Sequence, residues 1–150
     1  VKPATRNDNC IIVEDLYPTI LNMAGIKQYN VPQTVDGIDI LPLMQGKTDR
    51  RFADRNLVWN FPNVWDGFGP GVNLNCAIRR GDWKLIYYYA TGRKELFNIA
   101  QDISESNNLA DDNPEKVKQL SSILGKTLRQ MKAQRPSFKS TGKPCKWPDE

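Results

Sequence analysis

"NCAIRRGDWKLIYYYATGRKELFNI", Asn75 to Ile99, contains three short strand-forming runs punctuated by Gly81-Asp82 and Thr91-Gly92. The pattern predicts strands at Cys76 to Arg79, Trp83 to Tyr89 and Glu95 to Asn98, joined as hairpins. Trp83, Leu85, Tyr87 and Tyr89 alternate with Lys84, Ile86 and Tyr88. One face of the sheet therefore belongs in a core and the other is half covered. Arg80-Gly81-Asp82 falls between two strands, so it reads as a hairpin corner in preference to an adhesion loop or a catalytic element. Arg79 and Arg80 then point to opposite faces.

Upstream, "NLVWNFP" (Asn56 to Pro62) reads as a further strand ended by Pro62. It is followed by "NVWDGFGPGVNLN", a Gly-, Pro- and Asn-rich loop carrying Trp65 and Phe68. Downstream, Asn113-Pro114 supplies an N-cap and a proline at the first helical position. Val117, Leu120, Ile123, Leu124, Leu128 and Met131 then hold one apolar stripe until Pro136, with Gly125 a modest interruption. The closing "SFKSTGKPCKWPDE" has no periodicity and reads as an irregular tail over 136–150.

At the other end, "VEDLYPTILNMAGI" predicts a short helix with Asp15 as N-cap, Pro18 in its first turn and Gly25 as its stop. Leu16, Ile20 and Met23 share a face that needs a partner, because so short a helix does not stand alone. A turn at Asp36-Gly37 and a one-turn helix near Leu41 to Gln45 follow. The charged connector Asp49 to Arg55 is the best candidate boundary, dividing the chain into 1–50 and 51–150. The fold class is α+β: a four-stranded antiparallel sheet packed against a long C-terminal amphipathic helix, preceded by a short helical segment.

Composition narrows the chemistry. The chain has 150 residues, 39% of them hydrophobic, and a net charge of +4. No apolar run approaches the ~20 residues that cross a bilayer. The chain starts at Val1 without signal architecture, as a mature product or an excised piece would. Lys116, Lys118, Lys126, Arg129, Lys132 and Arg135 make the last helix basic; a solvated face explains them, and a polyanion-binding module for nucleic acid or sulfated glycan is the alternative. Three cysteines, Cys10, Cys76 and Cys145, lie far apart with no Cys-x-x-Cys pair, against a zinc site; one pair is free to bridge in an oxidising compartment. There is no histidine, which removes imidazole acid–base catalysis, Ser-His-Asp relays and His-ligated zinc.

Four stretches in order resemble the carboxyl-terminal part of the type I sulfatases, in the alkaline phosphatase superfamily. "VEDLYPTILNMAGI" is similar to the family's Asp-Leu-x-Pro-Thr-Ile-Leu helix, and "VDGIDILPLMQGK" to its Asp-Gly-x-Ser-Leu-x-Pro-Leu-Leu-x-Gly segment. "AIRRGDWKLI" resembles Ala-x-Arg-x-Gly-x-Trp-Lys-Leu-Ile, and "ELFNIAQDISESNNLAD" resembles Glu-Leu-Tyr-Asp-Leu-x-x-Asp-Pro-x-Glu-x-x-Asn-Leu-Ala. The resemblance implies that 1–50 is the tail end of an α/β catalytic domain and 51–150 a C-terminal subdomain.

In that family a formylglycine made within Cys/Ser-x-Pro-x-Arg is the nucleophile, and calcium helps hold the sulfate. Cys10, Cys76 and Cys145 sit in "CIIVE", "CAIRR" and "CKWPD", none of which fits. The resemblance thus implies no catalytic residue and no metal ligand in this chain, with formylglycine and calcium expected in a missing catalytic domain. It implies a sulfate ester substrate, no nucleic acid or membrane partner, and a secreted or periplasmic location. Relatives carry Trp-His-x-Pro-His where this sequence reads "WNFPN", so Asn60 and Asn63 replace two histidines. Asn60, Asn63, Trp65 and Asp66 are the candidate substrate-binding residues, amides for sugar hydroxyls and an indole for a sugar face. Alternatively Asn63 and Asp66 cap turns and Trp65 fills a gap against the absent domain. An apolar patch around Leu16, Ile20, Leu41 and Leu43 is expected at the surface, open to the rest of the catalytic domain or to self-association.

Overall fold

Strands β1 (Asn56–Val64), β2 (Asn73–Arg80), β3 (Trp83–Tyr88) and β4 (Lys94–Asn98) form an antiparallel sheet in the order β1-β2-β3-β4. The computed structural model from which this is read describes residues 3–4, 6–64 and 73–150. The chain divides into two units, residues 1–55 and 56–150.

In the second unit, Asn60 pairs with Cys76, Cys76 with Tyr87 and Leu85 with Leu96, which puts these side chains on one face. Helix α3 (Pro114–Gln130) covers that face. Leu120, Leu124 and Leu128 pack there with Cys76, Ile78, Leu85, Tyr87, Tyr89 and Leu96. Each fully buried leucine contributes about 1.5–3 kcal/mol of transfer free energy to this contact. Pro62 does not end β1, which runs on to Val64 through a register shift after Phe61. An edge strand tolerates the missing N–H that would break a central one.

Helix α3 stops at Gln130, short of Pro136. Lys132 takes a φ of +52°. Its N–H reaches the Arg129 carbonyl at 3.1 Å, and the Ala133 N–H reaches the Leu128 carbonyl at 2.9 Å. This is a Schellman closure with lysine where glycine is usual, and it leaves Met131 outside the stripe at 55% exposure. Asn113 does not cap with its side chain; its amide donates back to the Leu109 carbonyl at 3.0 Å.

Residues 136–150 lack regular structure but are not loose. Ser137 bridges Pro144, and Cys145 donates to the Pro136 carbonyl at 2.9 Å while its side chain joins the core. The Tyr87 hydroxyl donates to the Lys146 carbonyl at 3.2 Å, and Arg135 stacks on Trp147 at 4.8 Å. Asp149 pairs with Arg129. A side chain at Gly125 would collide with the Asp149 carboxylate, so the glycine is a notch that seats the strap.

The first unit is organised around Asp15, which is 0% exposed. The residue occupies the N-cap position of α1 (Leu16–Met23), but its carboxylate makes no cap bond there. It accepts from the Ile12 N–H at 2.9 Å, the Ile38 N–H at 2.8 Å and both Arg55 terminal nitrogens at 2.9 Å. One turn on, the Thr19 hydroxyl accepts from the Ile40 N–H at 2.9 Å, and Asn22 donates to Asp39 at 2.7 Å. Segment 38–40 therefore hangs on a polar stripe of α1. Gly37 has no room for a side chain, because the Glu14 carbonyl lies against it. Helix α2 (Leu41–Met44) then buries Leu43 with Ile40 and Phe52.

With its polar stripe inward, α1 turns its apolar residues out, and Ile20 is 61% exposed. Leu16, Val13, Tyr17 and Met23 are exposed with it. The expected patch is thus corrected: Leu43 is buried, and the exposed surface continues over Val13, Tyr17 and Met23 instead.

Burial pushes the Asp15 carboxyl up, but the bonds from Arg55, Ile38 and Ile12 outweigh it and hold the group below the usual carboxylate value of 3.8. A depressed carboxyl stabilises the fold above its unfolded value, and that contribution is lost as pH falls through the lower folded value. Asp15→Asn leaves Arg55 buried without a counter-charge and is expected to cost about 3–5 kcal/mol. Hydrogen exchange checks it: the Ile38 and Ile12 amides should lose protection in the variant, while unchanged protection would contradict this role for Asp15.

Candidate functional site

Of the residues that sequence singles out, Asn60 and Asn63 lie on β1. Trp65 and Asp66, with Phe68, lie outside the described residues. Asn63 is exposed beyond the register shift. Asn60 shares the parity of Cys76 and Tyr87, and its side chain turns toward α3. Its amide donates to the Gln134 carbonyl at 2.9 Å, and its oxygen accepts from the Tyr89 hydroxyl at 2.8 Å. The amide thus ties the edge strand to the chain leaving α3 and to the end of β3. One N–H and one lone pair remain for any other partner.

The surroundings of Asn60 are chemically quiet. Burial pushes the Cys76 thiol up to about 12, against a smaller opposing effect of its hydrogen bond with Tyr89. Burial also raises the Tyr89 hydroxyl far above the usual phenol range. Neither group ionises near neutral pH, so neither is a nucleophile there. All three cysteines are free thiols, with Cys76 and Cys145 buried. Among the described residues, no group of three or more Cys, Asp and Glu side chains converges to hold a metal ion.

At the hairpin corner, Arg80 pairs with Trp83 and Gly81 takes a φ of +57°, the conformation a primed two-residue turn needs at its first position. The Asp82 carbonyl accepts from the Ile99 N–H at 2.7 Å, which fastens the corner to the end of β4. The basic residues of α3 and of the chain leaving it are engaged: Lys116 lies over the Trp83 ring at 5.7 Å, and Arg129 and Arg135 pair with the C-terminal strap.

The other face of the sheet was not singled out as a site. Trp59, Ala77 and Ile86 are register partners on it, beside Phe61, Arg79 and Lys84. These residues, with Ile103 and Glu105, line a groove of about 330 Å³. Lys84 pairs with Glu105 at 2.6 Å. The alternation of Trp59 and Phe61 with Val58 and Asn60 was the signal in the sequence, since period two puts both aromatics opposite the core-facing set.

A family model for the C-terminal region of N-sulphoglucosamine sulphohydrolases matches residues 1–134. The chain belongs to that family. Among its relatives, human arylsulfatase K is 31% identical over 121 residues, covering 77% of this chain and 21% of the human protein. A sulfatase of Formosa agariphila is 31% identical over 104 residues, covering 67% of this chain and 19% of its own. The solved structure of BT4656 in complex with its substrate D-glucosamine-2-N,6-O-disulfate matches with a TM-score of 0.59 at 26% identity, over 79% of this chain and 24% of that one. This sulfatase C-terminal domain therefore spans about a fifth of the length of the curated relatives it matches. The strap beyond residue 134 lies outside the family match.

Within the sulfatase C-terminal domain, Asn60→Ala would leave Tyr89 and the Gln134 carbonyl without these bonds and is expected to cost about 1–3 kcal/mol. Urea unfolding of Asn60→Ala, Tyr89→Phe and the double variant checks it through a non-additive cycle. Full additivity with no loss at Asn60 would show that the amide is idle in the fold.

Proposed function

We propose that the chain is the C-terminal subdomain of a sulfuric ester hydrolase, completing the enzyme's fold and lining its substrate pocket. The family match over residues 1–134 carries this reading. Residues 1–50 close the α/β catalytic domain, and 51–150 form the subdomain beside it. The outward apolar face of α1 supports this division, since a helix that buries its polar stripe and exposes Ile20 and Met23 lacks a neighbour.

The substrate is a sulfated glycan or an aryl sulfate, the classes named by the relatives and by the disulfated glucosamine bound to BT4656. Asn63, Trp65 and Asp66, with the remaining amide capacity of Asn60, would meet it at the end of β1. Sulfate monoester hydrolysis needs a strong nucleophile, cations on the sulfuryl oxygens and an acid for the leaving alcohol. Formylglycine and calcium would come from the catalytic domain, and the family resemblance supports a secreted or periplasmic location. No helix among the described residues is long and apolar enough to cross a membrane.

This chain incubated with a chromogenic aryl sulfate and calcium is expected to release no product above the blank. Sustained turnover by the chain alone would overturn the assignment.

A further inference from the structure

A cavity of about 770 Å³ lies between the flank of α3, the turn that joins β3 to β4 and the last residues of the strap. Gly92, Arg93 and Lys94 form one wall, Pro114, Val117 and Lys118 a second, and Asp149 and Glu150 close it from the strap. Positions 114, 117, 118 and 121 follow helical spacing, so α3 presents one face to it. The volume is that of a small-molecule site.

Ser121, 2% exposed, lines this cavity from the helix. A helical hydroxyl can settle on the carbonyl one turn back. Thr127 does so on the same helix, donating to the Ile123 carbonyl at 2.8 Å. Ser121 does not: its Oγ is buried and has no hydrogen-bond partner among the described residues. An unsatisfied buried hydroxyl is costly, and the fold by itself would be better served by alanine there. One turn on, the strap's Asp149 fills the notch at Gly125 and is held by Arg129. The serine therefore sits one turn from the end at which the strap closes the cavity.

The charged groups of the walls select the ligand. Arg93 is engaged: it stacks on Tyr88 at 4.5 Å and pairs with Glu95 at 3.1 Å. Asp149 belongs to Arg129, while Glu150 pairs with Arg135 at 3.7 Å and accepts from the Trp147 N–H at 3.0 Å. Lys94 lies over the Tyr87 ring at 6.0 Å and makes no ion pair among the described residues. Lys118, Asp111 and Ser122 have no side-chain partner among those residues. An inorganic anion would answer the two lysines and be repelled by Asp111. A ligand with both an acidic group and hydroxyls answers all of these groups. The ammonium groups hold its acid, the carboxylate accepts from a hydroxyl, and the serines donate or accept as needed. A sugar unit carrying a sulfate or a carboxylate has that pattern.

We propose that this cavity binds an acidic sugar unit, with Lys94 and Lys118 on its sulfate or carboxylate and Ser121, Ser122 and Asp111 on its hydroxyls. The choice of a sugar over another polar acid rests on the reading of the chain as part of a sulfatase. The cavity and its orphan hydroxyl do not. Its strap wall, Asp149 and Glu150, lies beyond the family match over residues 1–134. One sugar held here tethers a longer glycan to the subdomain and raises its effective concentration.

Titration of the isotope-labelled 150-residue chain, followed by amide NMR, tests it. The probes are a monosulfated glucosamine, glucuronic acid, glutamate and sodium sulfate. The Lys94, Ser121 and Ser122 amides should shift saturably with an acidic sugar, and the tighter of the two sugars tells sulfate from carboxylate. The Thr127 amide should stay in place. Ser121→Ala should leave the urea midpoint unchanged or raised, because it deletes an unsatisfied hydroxyl, and should weaken sugar binding about fivefold, one hydrogen bond's worth. Lys118→Gln should weaken it by a similar factor and flatten its salt dependence. No saturable shift with either sugar, or unchanged affinity in both variants, would overturn the proposal. Equal binding of sodium sulfate, an anion alone, or preference for glutamate would overturn it as well. A longer natural polypeptide that binds the sugar here but hydrolyses no sulfate ester would bring down the functional reading and leave the site standing.

Discussion

A pleated sheet presents side chains alternately to its two faces, and the face that carries the apolar set needs a cover. Here the second unit supplies one long amphipathic helix, enough for one face. The helix side follows from that contact: the leucines of α3, the Cys76 thiol that becomes inert on burial, and the strap that closes over Gly125. On the other side Trp59 and Phe61 face outward. In the first unit, helix α1 holds segment 38–40 through Asp15, Thr19 and Asn22 and leaves Leu16, Ile20 and Met23 exposed.

Much of this was legible in the sequence because it rests on local rules. The period-two alternation from Trp83 to Tyr89 placed the core-facing set correctly, and Gly81 and Gly92 marked the turns because left-handed backbone favours glycine. The stripe from Val117 to Leu128 fixed α3. Its end was not legible, since Lys132 takes the position where glycine would have announced the stop. Pro62 misled for a related reason: a proline ends a strand only where its missing N–H is needed, and an edge strand does not need it.

The site was less legible than the fold. The side to which Asn60 turns depends on its register with Cys76 and Tyr87, which is a property of two strands together. The strap has no periodicity to read, because separate pairings hold it: Arg135 with Trp147, Arg129 with Asp149, and Tyr87 with the Lys146 carbonyl. Asp15 carried a correct signal with a different use, since a carboxylate suited to capping also suits a buried arginine forty residues away in sequence. The absence of histidine removes imidazole from any proton transfer by this chain.

The exposed apolar face of α1 and the family match to a C-terminal region support the proposed reading of the chain as one part of a longer sulfatase. The most direct measurement is the sequence of the coding region upstream of Val1. It is expected to run on in frame through a long α/β segment that contains Cys/Ser-x-Pro-x-Arg, the source of the nucleophile. An initiation codon immediately before Val1, with no such segment, would contradict the account.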